Sequence, residues 1–146
     1  MYRLLLYKTA FIIVIAFYGL TVVAQTSSTD LTVEEYVNRY KTIAMAEMVR
    51  VNMPASVILA QGILESNYGN DELAVKGNNH FNLKCNDDWE GKSLRHKNET
   101  DNEKMCYRKY DSVYESYYDY LNQIRINPMF ITLFKLDYKD YEVWTK

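Results

Sequence analysis

Glu65 is the residue of this 146-residue sequence whose position most strongly suggests acid–base chemistry. It lies near the end of a largely apolar stretch that Pro54 can open, at the first position of a helix, and that Gly69 can stop. Two adjoining faces of this helix recur at helical spacing, one with Val57, Ala60 and Leu64 and the other with Ile58, Gln61 and Glu65. A carboxyl held by a buried helix, at the negative end of the helix dipole, should favour its protonated form, which a general acid requires. The alternative is a solvated surface glutamate, the commonest kind near a helix end.

The elements that must position Glu65 are predicted by capping signals. Thr32 and Glu35 form a capping-box pattern, which predicts a helix that ends near Asn52. We expect this helix to pack against the Glu65 helix through a core-facing stripe of Tyr36, Tyr40, Ile43, Ala44 and Val51. After Gly69, the segment 71–75 predicts one short helical turn.

The middle of the sequence changes from helical to alternating periodicity. Residues 80–85 and parts of 92–96 and 104–109 alternate with period two, and turn-forming residues separate them, so we predict a small, irregular β lobe from about 80 to 109. Ser112 and Glu115 then predict a new helix, and Pro128 is expected to open a last one through Leu136. The pattern indicates a mainly α (α+β) fold.

Three segments around Glu65 resemble a known family. They are Ala60-Gln-Gly-Ile-Leu-Glu-Ser-Asn-Tyr-Gly69, the following Glu72-Leu-Ala74, and Gly77-Asn-Asn-His-Phe-Asn-Leu-Lys84. This pattern resembles the bacterial cell-wall glucosaminidases of glycoside hydrolase family 73, from about Val33 to Lys146. The resemblance implies a lysozyme-like helical core in which the β lobe lines a groove, and it implies that Glu65 is the proton donor.

The resemblance also indicates a second carboxylate. Tyr107-Arg-Lys-Tyr-Asp-Ser112 is similar to the family's aromatic-Arg-x-Tyr-x-Ser segment, and counting back from it places Glu99 near the second catalytic position. Asp101 and Glu103 compete for that role, because the register of the preceding loop is open. The alternative is that all three acids merely solvate the tip of a hairpin. The developing oxocarbenium ion could be stabilised by such a carboxylate or by the acetamido group of the substrate itself.

Four residues are candidates for binding the sugar. Asn79 and Phe81 belong to the Asn-Asn-x-Phe pattern of the family, and the resemblance places them at the site. Tyr68 follows Glu65 closely, and Trp89 lies in the predicted β lobe. Most of the 14 tyrosines fall at helical spacing and are expected in the core.

Residues 1–24 have the features of a secretory signal peptide. Arg3 and Lys8 precede an apolar run, and small residues end it, which predicts cleavage before Gln25 and an exported protein of the periplasm or extracellular space. The alternative is an uncleaved membrane anchor, which would be the chain's one membrane contact.

The net charge of the sequence argues against nucleic-acid binding. The full sequence has 17 basic and 19 acidic residues, and two of the basic residues lie in the leader. The sequence after the leader therefore has a net charge of −4, which lacks the electrostatic footprint of nucleic-acid binding.

Cys85 and Cys106 are the two cysteines of the sequence. In an exported protein this pair favours a disulfide, and two free buried thiols are the alternative. His80 and His96 lack the spacing of a zinc motif, so we expect neither a metal nor a cofactor.

These observations predict a linker at residues 25–31 and one domain at 32–146, expected to be monomeric. By resemblance, the domain is an endo-β-N-acetylglucosaminidase that acts on peptidoglycan glycan strands. A lytic transglycosylase and a non-catalytic wall-binding or assembly module are the alternatives. Family members usually continue past Trp144 with a segment that contributes an active-site tyrosine, so we expect this sequence to be truncated at its C-terminus.

Overall fold

The computed structural model describes residues 30–97 and 103–144. The predicted leader at residues 1–24 lies outside these ranges, as do Glu99 and Asp101. Within the described ranges, no helix is long and apolar enough to cross a membrane.

Helix α1, Val33–Val51, begins and ends where the sequence predicts. The Thr32 hydroxyl accepts from the Glu35 amide, and the Glu35 carboxylate accepts from the Thr32 amide at 2.8 Å, so the predicted capping box is confirmed. Asn52 ends the helix in the left-handed conformation, at a φ of 61°. Tyr36, Ala44 and Val51 of the predicted stripe are buried.

Helix α2, Ala55–Glu65, packs across α1 and carries the candidate acid at its last residue. Pro54 caps this helix instead of occupying its first position. The expectation that a buried helix holds the Glu65 carboxyl is wrong at this end of α2, because Leu64 is 81% exposed and Glu65 is exposed as well. Ile58, Leu59 and Gly62 form the buried face.

Gly62 of α2 lies directly against the side chains of Tyr36 and Tyr117. A Cβ atom at this position would lie 2.5 Å from the Tyr36 hydroxyl and 3.0 Å from the Tyr117 hydroxyl. The two hydroxyls are hydrogen-bonded at 2.9 Å, and Tyr36 also bonds Nδ1 of His80 at 2.9 Å. Burial lowers the pKa of His80 to about 4, so this buried network contains a neutral imidazole at neutral pH.

The β lobe is smaller than predicted. Strands β1, Ser93–Lys97, and β2, Lys104–Arg108, pair antiparallel, with Ser93 opposite Arg108. The predicted strand at residues 80–85 is wrong, since only Lys84 forms a bridge, to Tyr107. Asn82 has a φ of 52°, which breaks the alternation, and the Asn79 side chain pairs with the backbone of Leu83 in place of a strand partner.

A disulfide joins Cys85 to Cys106 across the β lobe, with a Cα–Cα distance of 5.4 Å. It closes a loop with a sequence separation of 21. In the chain-entropy description, closing such a loop in the unfolded state stabilises the fold by roughly 3 kcal/mol. The structure therefore contains the predicted pairing, and it fixes β2 to the segment that follows Phe81.

Three further α-helices are described: α3, Glu72–Gly77; α4, Val113–Ile126, capped by Ser112; and α5, Tyr141–Trp144. The predicted helix from Pro128 to Leu136 is wrong, because this segment forms turns and a 3-10 helix at Leu133–Lys135. The Asn52 side chain donates to the carbonyls of Phe134 and Leu136, at 3.1 and 2.8 Å. These carbonyls therefore accept from a side chain in place of the backbone amides of a helix. The core lies between α1, α2 and α4. Phe81, from the loop that precedes the β lobe, also packs into it.

Candidate active site

Glu65 lies at the junction of a rigid helix and a tight turn. It is the last residue of α2, and its exposed carboxyl is accessible to a substrate. The burial that the sequence suggested for this carboxyl is absent, so the helix positions the group without enclosing it. The next residue, Ser66, is fully buried, and its hydroxyl donates to the Gly62 carbonyl at 2.6 Å and accepts from the Gly69 amide at 2.7 Å.

The turn after Glu65 contains three consecutive residues in the left-handed region: Asn67, Tyr68 and Gly69, with φ values of 47°, 59° and 80°. A bulky residue such as Tyr68 rarely adopts this conformation, which costs of order 1–3 kcal/mol and is concentrated at functional sites. The structure over-determines the turn, because Asn70 exchanges two hydrogen bonds with the Leu31 backbone, at 2.7 and 2.9 Å. Tyr68 stays 37% exposed, so a substrate can reach its ring.

Asn82 connects the β lobe to Glu65. Its Nδ2 donates to the Glu65 backbone carbonyl at 2.6 Å and lies 3.3 Å from Oε2 of the same residue. The left-handed backbone at Asn82 turns the side chain towards α2. Asn82 therefore holds both the helix end and the carboxylate.

Beside this contact lies a groove of about 460 Å³. Its lining is mostly polar and comes from the start of α3, the loop at Asn82 and both strands of the β lobe: Asp71, Glu72, Leu73, Asn82, Lys84, His96 and Tyr107. His96 closes one side through a hydrogen bond from Nδ1 to Oε2 of Glu72 at 2.9 Å. The groove thus contains carboxylates, an amine and an amide, which suit a ligand rich in hydroxyl and amide groups.

The pKa values of two groups near Glu65 are raised. Burial raises the pKa of Asp71, and the Glu65 carboxylate raises it further, while the Ala74 amide and His96 lower it. Asp71 Oδ1 also caps α3 by accepting from the Ala74 amide at 2.6 Å. Burial and the Glu65 charge raise the pKa of Tyr120 to about 12. Asp71 and Tyr120 therefore both lie within the electrostatic field of Glu65.

Asn79 and Phe81, the predicted sugar-binding pair, have buried side chains. Asn79 is fully buried and donates to the carbonyls of Leu83 and Arg108, both at 2.9 Å. Phe81 is 4% exposed and stacks on Tyr120, with ring centroids 4.1 Å apart. Substrate contact by these two residues stays a prediction, and the structure gives both a role in supporting the loop that carries Asn82.

Trp89 lines a different cavity from the groove. This second cavity, of about 550 Å³, lies between the β lobe and the end of α4. The Arg108 guanidinium lies 4.6 Å from the centroid of the Trp89 ring and pairs with Asp119 at 2.7 Å, and the indole Nε1 donates to the Lys92 carbonyl. Trp89 thus helps to anchor the β lobe on α4, and sugar binding by its ring stays a prediction.

The second carboxylate remains a prediction as well. Glu99 and Asp101 lie outside the described residues, whereas Glu103 is exposed just before β2.

Among the residues described, no cluster of three or more histidine, cysteine, aspartate or glutamate side chains is arranged to hold a metal ion.

Asn82, Asp71 and Tyr120 were not among the site residues predicted from the sequence. Asp71 lies in the predicted short helical turn, and the available signal is its position as a possible N-cap six positions after Glu65. Asn82 lies within the predicted strand at residues 80–85, and Tyr120 is one of the 14 tyrosines, most of which are expected in the core. Their proximity to Glu65 arises from long-range packing, which the spacing does not reveal.

Comparison with known proteins identifies the family. The glucosaminidase family model, described as mannosyl-glycoprotein endo-β-N-acetylglucosaminidase, matches residues 41–146. The peptidoglycan hydrolase FlgJ of Vibrio parahaemolyticus is 28% identical over 108 residues, which make up 68% of this chain and 35% of that protein. The chain therefore spans about a third of the length of this curated relative.

Similar solved structures include domains of proteins from two bacteria. The glycoside hydrolase domain of FlgJ from Salmonella typhimurium has a TM-score of 0.62 and 24% identity, over 73% of this chain and 69% of that one. The catalytic domain of the autolysin Auto from Listeria monocytogenes has a TM-score of 0.57 and 29% identity, over 72% and 63% of the two chains. The predicted lysozyme-like fold is thereby confirmed, and the chain belongs to the glucosaminidase family of glycoside hydrolases.

Proposed function

We propose that this chain hydrolyses the glycan strand of peptidoglycan as an endo-β-N-acetylglucosaminidase. The observation that carries the proposal is Glu65, exposed at the end of α2 and held by Asn82 beside a polar groove, in a chain of the glucosaminidase family. The names of the similar proteins, a peptidoglycan hydrolase and an autolysin, support peptidoglycan as the substrate.

In the proposed reaction, Glu65 protonates the glycosidic oxygen of the leaving sugar. Exposure of the carboxyl in the free protein lets it reach that oxygen, and a bound glycan strand would then displace water from it. Removal of water favours the neutral acid over the carboxylate, which prepares the group to donate its proton. Asn82 keeps the carboxyl in place during this step through the contact to Oε2.

The group that stabilises the developing positive charge has three candidates. The first is the carboxylate implied by the family resemblance, which is Glu99 with Asp101 and Glu103 as competitors, and the second is the acetamido group of the substrate. Asp71 is the third, because it lines the groove and lies close enough to Glu65 for their charges to interact. The hydrogen bond from the Ala74 amide to its Oδ1 orients the carboxyl.

Product analysis of digested peptidoglycan tests the proposed reaction. The protein is produced from Gln25 with any residues that its gene places after Lys146, and it is incubated with purified peptidoglycan. A hydrolase of the proposed type releases fragments with reducing N-acetylglucosamine ends. Fragments with anhydro-muramic ends would identify a lytic transglycosylase instead, and absence of cleavage would favour the wall-binding or assembly module.

We propose that the protein acts outside the cytoplasmic membrane, where peptidoglycan lies. The apolar leader at residues 1–24 would direct its export, and cleavage should leave Gln25 as the first residue. Intact-mass measurement of the exported protein checks this expectation. A mass that still includes residues 1–24, found in the membrane fraction, would indicate an uncleaved anchor.

A further inference from the structure

The Cys85–Cys106 disulfide lies between two residues that line the groove. Lys84 precedes the first cysteine and Tyr107 follows the second, and both contribute to the groove wall. Lys84 and Tyr107 also form the isolated bridge that attaches the loop carrying Asn82 to β2. Beside this bridge, the Cys85 amide donates to the Cys106 carbonyl at 3.0 Å. The disulfide is therefore part of the wall of the groove.

On one side of the disulfide, the β lobe is packed against its neighbours. Leu94 of β1 lies against Gly77 of α3, where an added Cβ atom would be 2.7 Å from the Leu94 side chain. Tyr107 and Arg108 of β2 are buried, and the Arg108 guanidinium donates to the Lys84 carbonyl at 3.0 Å. We call this part, residues 93–94 and 107–108, the inner half of the lobe. Burial holds the inner half in position.

The outer half of the lobe has a different kind of attachment. It comprises residues 95–97 of β1 and 104–106 of β2, and none of these six residues is buried. Besides the pairing of the two strands, the outer half is joined to neighbouring segments by the hydrogen bond between His96 and Glu72 and by the link of Cys106 to Cys85. His96 is the residue by which the outer half closes one side of the groove.

The two attachments of the outer half differ in strength. The side chains of His96 and Glu72 are 29% and 48% exposed, so water competes for both groups and the pair contributes little. An isolated pair of antiparallel strands is at best marginally stable in water. The covalent bond is not subject to this competition. The disulfide is therefore the attachment that keeps the outer half, and His96 with it, at the groove.

A reductant in solution can reach the disulfide. Neither Cys85 nor Cys106 is buried, and Lys84 and Asn86 on either side of Cys85 are exposed. In exchange with dithiothreitol, a dithiol, the Sγ–Sγ bond breaks and each cysteine sulfur gains one electron and one proton. The dithiol supplies both electrons and both protons and closes to a cyclic disulfide. Because the sequence has two cysteines, the reductant has one target.

We propose that the Cys85–Cys106 disulfide is a redox-sensitive switch of the groove: the intact bond holds the outer half of the β lobe in place, and its reduction releases this half and lowers glycan hydrolysis. The inference rests on the proposed function for the reaction that is lost. Helices α1, α2 and α4 stay folded, since the core described between them contains neither cysteine. Misplacement of a group by about 1 Å can lower a rate about 10²-fold, so we expect kcat/KM to fall at least tenfold.

Hydrogen exchange and peptidoglycan cleavage, measured on the same protein before and after dithiothreitol, test the inference. The protein is produced from Gln25, as for product analysis. On reduction, the amides of residues 95–97 and 104–106 should exchange at least tenfold faster, while those of α1 and α2 stay within twofold. The value of kcat/KM should fall at least tenfold over the same treatment. Reoxidation with oxidised glutathione should restore both the slow exchange and the cleavage rate.

A chain with both Cys85→Ser and Cys106→Ser is the matched control, because it lacks the bond and leaves dithiothreitol without a target. It should show the exchange and the cleavage rate of the reduced wild type, with or without the reductant. An equal kcat/KM before and after reduction of the wild type would overturn the inference. Faster exchange throughout α1 and α2 would do so as well, because the disulfide would then support the whole fold.

The exchange measurement also separates this inference from the proposed function. If the oxidised wild type cleaved no peptidoglycan, the proposed function would fail. Exchange at residues 95–97 and 104–106 would still decide whether the disulfide holds the outer half, and unchanged exchange there would refute the switch in either case.

Discussion

Replacing Glu65 with glutamine is expected to lower kcat for glycan cleavage about 10²–10⁴-fold, the usual contribution of a general acid. Glutamine has nearly the same size and can accept from Asn82, but it has no proton to give to the leaving oxygen. Because Glu65 is exposed and Asn82 also binds its backbone carbonyl at 2.6 Å, the fold should be unaffected. The measurement is the rate of release of reducing ends from peptidoglycan, together with Tm.

Glu34→Gln is the matched control, since Glu34 is an exposed glutamate in the first turn of α1. It should cleave peptidoglycan at the wild-type rate. If Glu65→Gln also matched the wild type, the acid would have to be another group of the groove, and Asp71 would be the first to test. Asp71→Asn suits that test, because asparagine caps a helix as well as aspartate does.

The helices were the most predictable part of the fold, because their signals are local. The capping box at Thr32 and Glu35 fixes the start of α1 within one turn of chain, and Ser112 does the same for α4. Pro128 gave an equally local signal, and the predicted helix is wrong. In that segment Met129, Phe130 and Ile131 are 76%, 36% and 49% exposed, and Asn52, distant in sequence, donates to the carbonyls of Phe134 and Leu136. A helix there would need an apolar face against the core, which these exposed residues do not provide.

The site was only partly predictable, because it is assembled between segments. Glu65 could be found from the helix and from the family resemblance, and α2 does present it beside the groove. The same reasoning placed the Glu65 carboxyl on a buried helix, whereas the exposed Leu64 and Glu65 show that one side of α2 is open. Asn82 contacts Glu65 across 17 positions of sequence, which neither periodicity nor capping rules can indicate.

Truncating Phe81 to alanine should destabilise the fold by about 3–5 kcal/mol, the usual cost of removing a buried phenylalanine. Phe81 is 4% exposed, stacks on Tyr120 and meets Tyr117 edge to face, with ring centroids 4.8 Å apart. This loss is a large fraction of the 5–15 kcal/mol by which domains are typically stable. The midpoint and slope of urea unfolding measure it, and an unchanged slope would show that both proteins unfold between equivalent states.

Tyr114→Ala is the control for this truncation, because Tyr114 is an aromatic residue that α4 leaves 46% exposed. Its free energy of unfolding should stay within about 0.5 kcal/mol of the wild type, as for most surface changes. The comparison also separates packing from direct sugar binding by Phe81. If Phe81→Ala weakened glycan binding while the free energy of unfolding was unchanged, the side chain would have to contact the substrate. A loss of stability with normal binding by the folded fraction would instead establish that Phe81 acts by supporting Tyr120 and the Asn82 loop.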